Sequence, residues 1–337
     1  MTSTVEPVFK SWVKSRLQDP DVEAFSLLQT LWSGYGQCFR FFSPKLNRNL
    51  VAKAVQPPET INHPKGWNND ISHQRKLTSY QVERHFYKHV RASLMLPAPE
   101  LIAEDQHDEA LLLIMSDLDS QGFDQRHETL TFEQAQTVLR YLAAFHATFL
   151  VLKNDTVSEC AGLWPRGTYW HLATRQQELN AMPDSALKQK AAAIDKLLAD
   201  CPYQTIVHGD AKVANFCFKA RTCQNGSVAA VDFQYPGSGV GVQDVAYFIG
   251  SALNEDDQAT ATGTCLDIYF EALKRALRDS STPPAVIPDD VEESWRYLYP
   301  IACADFQRFL EGWSPGHWKL NATLEALTKQ ALDTLPC

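Results

Sequence analysis

His208-Gly209-Asp210-Ala211-Lys212-Val213-Ala214-Asn215, followed after a gap by Val231-Asp232-Phe233, is the stretch on which the reading of this chain turns. It stands behind two short apolar runs, Thr205-Ile206-Val207 and Val228-Ala229-Ala230-Val231, which read as strands. Asp210 and Asn215 lie five positions apart in one loop, and Asp232 follows the second run. Phosphoryl transfer uses such a set: one carboxylate orients a hydroxyl, while an amide and a second carboxylate hold Mg²⁺ against phosphates. An H-x-D-x4-N match in a chain this long arises by chance on the order of once in a hundred, before the downstream Asp-Phe is required. A polar turn between two strands is the plain alternative.

Size and composition set the frame. The 337 residues suffice for two domains or for one large two-lobed domain. Hydrophobic residues make up 45% and charged residues 21%, as in an ordinary globular protein. A net charge of −9 argues against a broad nucleic-acid footprint and against a polybasic membrane anchor. No window approaches the ~18 apolar residues of a membrane span. The eight cysteines form no C-x-x-C pair and no zinc-type cluster, so they read as buried or idle thiols of a reducing compartment. The first seven residues have neither the basic nor the apolar region of a secretory signal, and the expected location is cytoplasmic.

Upstream of the motif, residues 24–55 read as a β-meander. Apolar and aromatic runs over 24–32, 38–42 and 50–55 are separated by Ser33-Gly34-Tyr35-Gly36 and by a turn-rich 44–49. Residues 57–70 read as a surface loop, 72–93 as a helix, and 100–104 and 110–115 as strands. From Ser116 the pattern becomes mostly helical. Thr131-Phe132-Glu133-Gln134 fits a capping box, with Val138, Leu142, Phe145, Phe149 and Leu152 at helical spacing behind it. Helices are expected over 168–181 and 184–199 before the motif, and near 241–253, 256–279, 289–310 and 318–333 after it. The expected fold class is α+β, with a small strand-rich N-terminal part and a larger helical C-terminal part.

Lys53 is the second anchor. In Asn49-Leu50-Val51-Ala52-Lys53-Ala54-Val55 the strand period sets Val51, Lys53 and Val55 on one face and Leu50, Ala52 and Ala54 on the other. An ammonium on a strand apolar on both faces needs a partner, unless the strand is a sheet edge. Glu83 is the candidate, because Glu83, Phe86, Tyr87 and Val90 share one helical face. Gly34 and Gly36 lie between the first two strands, where two glycines let backbone amides come close to phosphate oxygens.

Together these residues resemble the protein-kinase-like fold in its small-molecule branch, the aminoglycoside phosphotransferase and choline kinase superfamily, and within it the ecdysteroid-kinase-like (CHK) group. The similarity spans about 24–309 and is strongest over 207–216 and 230–250. It rests on His-Gly-Asp in place of His-Arg-Asp, on Asp232-Phe233-Gln234 in place of Asp-Phe-Gly, and on a Gly-rich link to an Asp-containing helix. No A-P-E segment follows, which argues against protein kinase activity.

The resemblance implies a bilobal architecture. A small antiparallel-sheet N-lobe with one main helix would occupy 1–116 and cover the nucleotide. A larger, mostly helical C-lobe would occupy 117–337. The implied cofactors are ATP and Mg²⁺, and the implied partner is a small-molecule hydroxyl acceptor of amino-alcohol, aminoglycoside-like or sterol-like type. No nucleic-acid or membrane partner is implied.

Residue by residue, Asp210 is the expected catalytic base, with Lys212 able to reach the transferred phosphate. Asn215 and Asp232 are the expected Mg²⁺ ligands. Lys53, held by Glu83, is expected at the α- and β-phosphates, and Gly34 and Gly36 in the phosphate-covering turn. Ser116 to Leu118 form the expected adenine-binding hinge, and Asp244 is expected to brace the loop. The insertion over 153–204 resembles the segment that such kinases use for acceptors. Asp305, on a helical face with Leu298, Ile301, Ala302 and Phe309, and Trp313 are candidate acceptor residues; a core Asp paired with a nearby Arg is the favoured alternative for Asp305. Two other functions stay open. One is a non-catalytic nucleotide-binding module, since Phe39 stands where a third loop glycine would. The other is a metal-dependent phosphohydrolase with His208, Asp210 and Asp232 as ligands.

Overall fold

The computed structural model describes residues 4–58, 69–152, 160–220, 227–279 and 286–335. Its chain divides into two compact units, residues 1–92 with 98–124 and residues 93–97 with 125–337. Most of the loop expected over 57–70, the first part of the 153–204 insertion, Cys223 and Cys337 lie outside the described residues.

The first unit runs α1 (Pro7–Leu17), β1 (Glu23–Thr30), β2 (Gly36–Ser43), β3 (Arg48–Val55), α2 (Asn69–His85), β4 (Leu101–His107) and β5 (Ala110–Ser116). The strands form one antiparallel sheet in the order β1-β2-β3-β5-β4. The alternation read from β3 is the one observed. Leu50, Ala52 and Ala54 enter a core with Phe39, Phe41, Leu112 and Ile114, closed from outside the sheet by Phe9 and Val13 of α1. Each large side chain buried there stabilises the unit by roughly 1.5–3 kcal/mol. The sequence reading contained no α1. α2 continues through a π turn, Phe86–Val90, and a 3₁₀ turn, Arg91–Ser93, and so covers the helix expected over 72–93.

The second unit runs α3 (Phe132–Thr148), β6 (Val151–Leu152), α4 (Gln176–Ala181), α5 (Ala186–Gln189), α6 (Ala191–Asp200), β7 (Tyr203–Val207), β8 (Phe216–Phe218), β9 (Val228–Ala230), β10 (Gly237–Gly239), α7 (Val242–Ala252), α8 (Glu255–Arg278), α9 (Pro288–Trp313) and α10 (Ala322–Thr334). Its strands pair as β10-β7-β6 and as the hairpin β8-β9. α3 opens with both halves of the capping box: Thr131 Oγ1 accepts from the Gln134 N–H at 3.2 Å, and Gln134 Oε1 accepts from the Thr131 N–H at 2.9 Å. Such a cap stabilises the helix by about 1 kcal/mol.

The helix expected over 168–181 is a correction. Only Gln176–Ala181 is α-helical there. Thr168 has φ +82°, and its N–H donates to Tyr235 O at 3.2 Å while the Tyr169 N–H donates to Gly209 O at 3.0 Å. Backbone bonds to the Asp210 loop and to the segment after Asp232 hold the chain out of a helix there. α10 likewise starts later than the expected 318, with Asn321 as its N-cap accepting from the Leu324 N–H at 3.0 Å. No described helix is long and apolar enough to cross a membrane.

Candidate active site

β7 delivers the motif loop, and a single carboxylate fixes its start. Asp244, in the first turn of α7, accepts the His208 N–H at 2.5 Å and the Gly209 N–H at 2.9 Å. The same carboxylate meets His146 Nε2 at 3.0 Å, whose Nδ1 meets the Tyr269 hydroxyl at 2.8 Å. Asp244 is fully buried, so its charge is answered by two amides and an imidazole instead of water. Gly209 has φ +77°, and a Cβ there would stand 2.1 Å from Tyr235 O, so only glycine fits the bend. His208 is locked too: Nε2–H donates to Val231 O at 3.0 Å and Nδ1 accepts the Asp210 N–H at 3.3 Å. Two backbone partners define its neutral tautomer and use both ring nitrogens.

Beyond the bend the loop gathers its polar side chains on Asp210. Lys212 Nζ donates to Asp210 Oδ2 at 2.8 Å, and Asn215 Nδ2 donates to the same oxygen at 3.0 Å and to Asp210 O at 2.8 Å. The Tyr247 hydroxyl, from α7, also bonds Asp210 and reaches Tyr169. Burial, then Tyr169 and Asp210, push the Tyr247 phenol well above its ordinary range, so it stays a proton donor. Burial opposes the Lys212 ammonium, but Asp210 and Asp232 outweigh it and raise its pKa. Asp210 is buried, while the Lys212 side chain is 39% exposed.

Asp232 follows β9 with φ +66°, a left-handed backbone that Asp tolerates better than most residues, and Gln234 Nε2 donates to its Oδ1 at 2.8 Å. Because Asn215 spends its NH₂ on Asp210, its remaining oxygen Oδ1 is the atom a cation would take. The donor set of a carboxylate and an amide oxygen fits a hard cation such as Mg²⁺ that draws its other ligands from phosphates and water. No group of three His, Cys, Asp or Glu side chains among the described residues could hold a metal by itself.

In the first unit, Lys53 and Glu83 meet. The Lys53 Nζ stands 2.9 and 2.7 Å from the two Glu83 oxygens and 5.7 Å from the Tyr80 ring centroid. β3 lies between β2 and β5, with Cys38 and Leu113 opposite Lys53, so this lysine is in a central strand and not at an edge. Gly34 has φ +77° in the turn before β2. Gly36 has φ +137°, and a Cβ would lie 2.0 Å from Ala54 O, so the backbones touch there. After β5, the Ser116 N–H donates to Glu100 O at 2.9 Å and Leu118 O accepts from Gln121 and Phe123. Asp117 is held by Arg40 at 2.8 and 3.0 Å.

The two acceptor candidates differ. Asp305 is buried and accepts Arg308 Nε at 3.0 Å and Nη2 at 2.8 Å, the paired-core arrangement. Trp313 is half-buried and stacks on Phe309 at 5.6 Å.

The sequence reading missed the aromatic wall beside Asp210. Tyr169 packs edge-on against Tyr247 at 5.6 Å and Phe309 at 5.2 Å, with the Arg175 guanidinium over Tyr169 and Phe309. It also missed Lys319, whose ammonium lies 4.2 Å from the Tyr247 centroid. No local pattern marks these residues, since they come from four separate segments.

Among solved structures, the chain is similar to the microcompartment-associated aminopropanol kinase (15% identity, 96% of this chain and 94% of that one, TM-score 0.51). It is also similar to the amicoumacin kinase hAmiN in complex with AMP-PNP, Ca²⁺ and Ami (13%, 98% and 94%, TM-score 0.54). A third likeness is to the GDP and kanamycin complex of APH(2")-IIia (10%, 98% and 100%, TM-score 0.55). At these identities the likeness is one of fold. No curated protein sequence gives a significant match. The family model for the phosphotransferase enzyme family matches residues 70–284, well over half of the chain. With the kinase fold matched along nearly its whole length, the chain belongs to the phosphotransferase enzyme family, the small-molecule kinases of the aminoglycoside phosphotransferase and choline kinase superfamily.

Proposed function

We propose that this phosphotransferase moves the γ-phosphoryl group of ATP to a hydroxyl of a small molecule, with Mg²⁺ required. The observation that carries the reading is the Asp210 carboxylate, held by Lys212, Asn215 and Tyr247 on a loop that Asp244 clamps from behind. Asp210 orients the acceptor hydroxyl and takes its proton as that oxygen bonds to the γ-phosphorus. The bond from that phosphorus to the bridging β-phosphate oxygen breaks, and its electron pair leaves with ADP. Lys212 steadies the transferred group. Mg²⁺, when bound, neutralises phosphate charge; Asn215 and Asp232 are its ligands in this reading.

Lys53, fixed by Glu83, is assigned to the α- and β-phosphates, and Gly34, Gly36, Ser116 and Leu118 to further nucleotide contacts. Trp313 is assigned to the acceptor wall, with Asp305 acting through Arg308. That the hAmiN structure contains AMP-PNP and Ca²⁺, and the APH(2")-IIia structure GDP and kanamycin, agrees with a nucleotide and a small hydroxylated acceptor. The phosphohydrolase reading is weakened by His208, whose ring nitrogens both serve the backbone.

The test is Asp210→Asn. Positioned proton transfer is worth about 10²–10⁴-fold, so phosphorylation in an acceptor screen should fall by about a thousandfold while ATP affinity changes little. Turnover at the wild-type rate would remove Asp210 from the base role. Nucleotide that binds neither the wild type nor the variant would remove the kinase reading altogether.

A further inference from the structure

The turn between α9 and α10 carries a charge that the reaction above does not use. Lys319 is 8% exposed, and no carboxylate pairs with its ammonium among the described residues. It lies instead on aromatic rings: 4.2 Å from the Tyr247 centroid, 5.4 Å from Trp318 and 5.7 Å from Phe306. The turn that holds it is ordered by its own bonds, with the Lys319 N–H donating to His317 Nδ1 at 3.2 Å and the Leu320 N–H to His317 O at 2.9 Å. Aromatic faces attract a cation but answer only part of the charge that burial strips of water. A methionine would fill the same space without that penalty, so packing alone does not explain a lysine.

Its location is informative. The ring under Lys319 belongs to Tyr247, whose hydroxyl bonds Asp210. Asp210 and Lys212 both act on the Lys319 charge. Lys212 is already compensated by its 2.8 Å contact with Asp210. Lys319 is therefore the uncompensated cation one ring away from the carboxylate assigned to the acceptor hydroxyl. An acceptor bearing ammonium groups would meet like charge there, whereas one bearing an anion would supply the missing partner.

We propose that Lys319 selects the acceptor, binding an anionic group of a hydroxylated small molecule and excluding polycationic alcohols from Asp210. The assignment rests on the reading of Asp210 as the base. Trp318, 62% exposed beside Lys319, would pack against the acceptor's apolar body, which fits a hydroxylated ring compound with a carboxylate better than an amino sugar.

The test uses the full chain and matched alcohols on two scaffolds, a benzylic alcohol and a hydroxysteroid. Each scaffold is prepared with a carboxylate, a carboxamide or an ammonium at one position. Binding is measured by calorimetry with a non-hydrolysable ATP analogue and Mg²⁺ present. On at least one scaffold the carboxylate should bind about tenfold or more tightly than the ammonium compound. Lys319→Arg should keep that preference, and Lys319→Met should abolish it. Lys319→Gln gives the same comparison if the Met variant does not fold. Equal binding of the three compounds, preference for ammonium, no binding by either carboxylate, or a preference that survives in the Met and Gln variants would overturn the proposal. A carboxylate that binds through Lys319 yet is never phosphorylated would leave the selector role standing and count against the base assignment instead.

Discussion

Two lysines, one in each unit, are buried to nearly the same depth and treated in opposite ways. Lys53, 5% exposed in the middle of a sheet, has both oxygens of a buried carboxylate within 2.9 Å. Lys319, 8% exposed in a turn between helices, has only aromatic faces around its ammonium among the described residues. The first charge is satisfied within its own unit and so can be held still while presenting its ammonium. The second is left open, and an open buried charge lowers stability wherever nothing else answers it. The difference separates a group built to be rigid from one built to receive.

The largest effect that would break this contrast is expected at Lys53. Removing one partner of a buried pair leaves the other uncompensated, so Lys53→Met should lower the unfolding free energy by about 3–5 kcal/mol. Lys53→Met with Glu83→Leu should recover most of that loss, since apolar replacements for a whole buried pair are often near neutral. Chemical denaturation of the three proteins is the check, and a single variant as stable as wild type would mean that the pair is not isolated from water.

The opposite sign is expected at Lys319. Burial pushes its ammonium down to about 8, against the pull of Asp210 and with a small further push from Lys212. The unfolded chain has an ordinary lysine near 10.4, so between the two values the unfolded state binds more protons and stability rises with pH. Below pH 8 the deficit is complete. Lys319→Met should therefore be more stable than wild type at pH 7, by on the order of 3 kcal/mol, with the advantage shrinking as pH climbs through 8 toward 10.4. A stability difference that is flat across that window would show Lys319 to be ionised in water like any surface lysine.

The smallest effect sharpens the link between the two sites of charge in the second unit. Asp210 raises the Lys319 pKa, so in an Asp210→Asn background the window in which Lys319→Met loses its advantage should move to lower pH. An unmoved window would separate Lys319 from the Asp210 loop.

Much of this was legible in the sequence where partners are close along the chain or share one element's period. The alternation over 50–55 separated Lys53 from Ala52 and Ala54, the helical face around Glu83 offered the counter-ion, and the capping box marked the start of α3. Other features depend on partners far away. α1 has only eleven residues, too few to persist in water alone, and exists because Phe9 and Val13 dock on the sheet. The segment around Thr168, expected as helix, follows Pro165 and Gly167 and is captured by Gly209 and Tyr235, which lie some forty and seventy positions further on. Lys319 sits among polar and aromatic neighbours in its own turn, and nothing there reveals that Tyr247 and Phe306 will close over it.

The docking of α1 has a bearing on how the chain is made. Its Trp12 indole bonds Asp105 at 2.8 Å, and its apolar face waits for Leu112 and Ile114. During synthesis this helix leaves the ribosome roughly a hundred codons before β5, the last of the strands that shelter it, at about 5–20 residues per second. For several seconds the part of its apolar face that meets β5 is therefore uncovered, and chaperone capture or a translation pause upstream of β5 would act on the yield of folded protein in that interval.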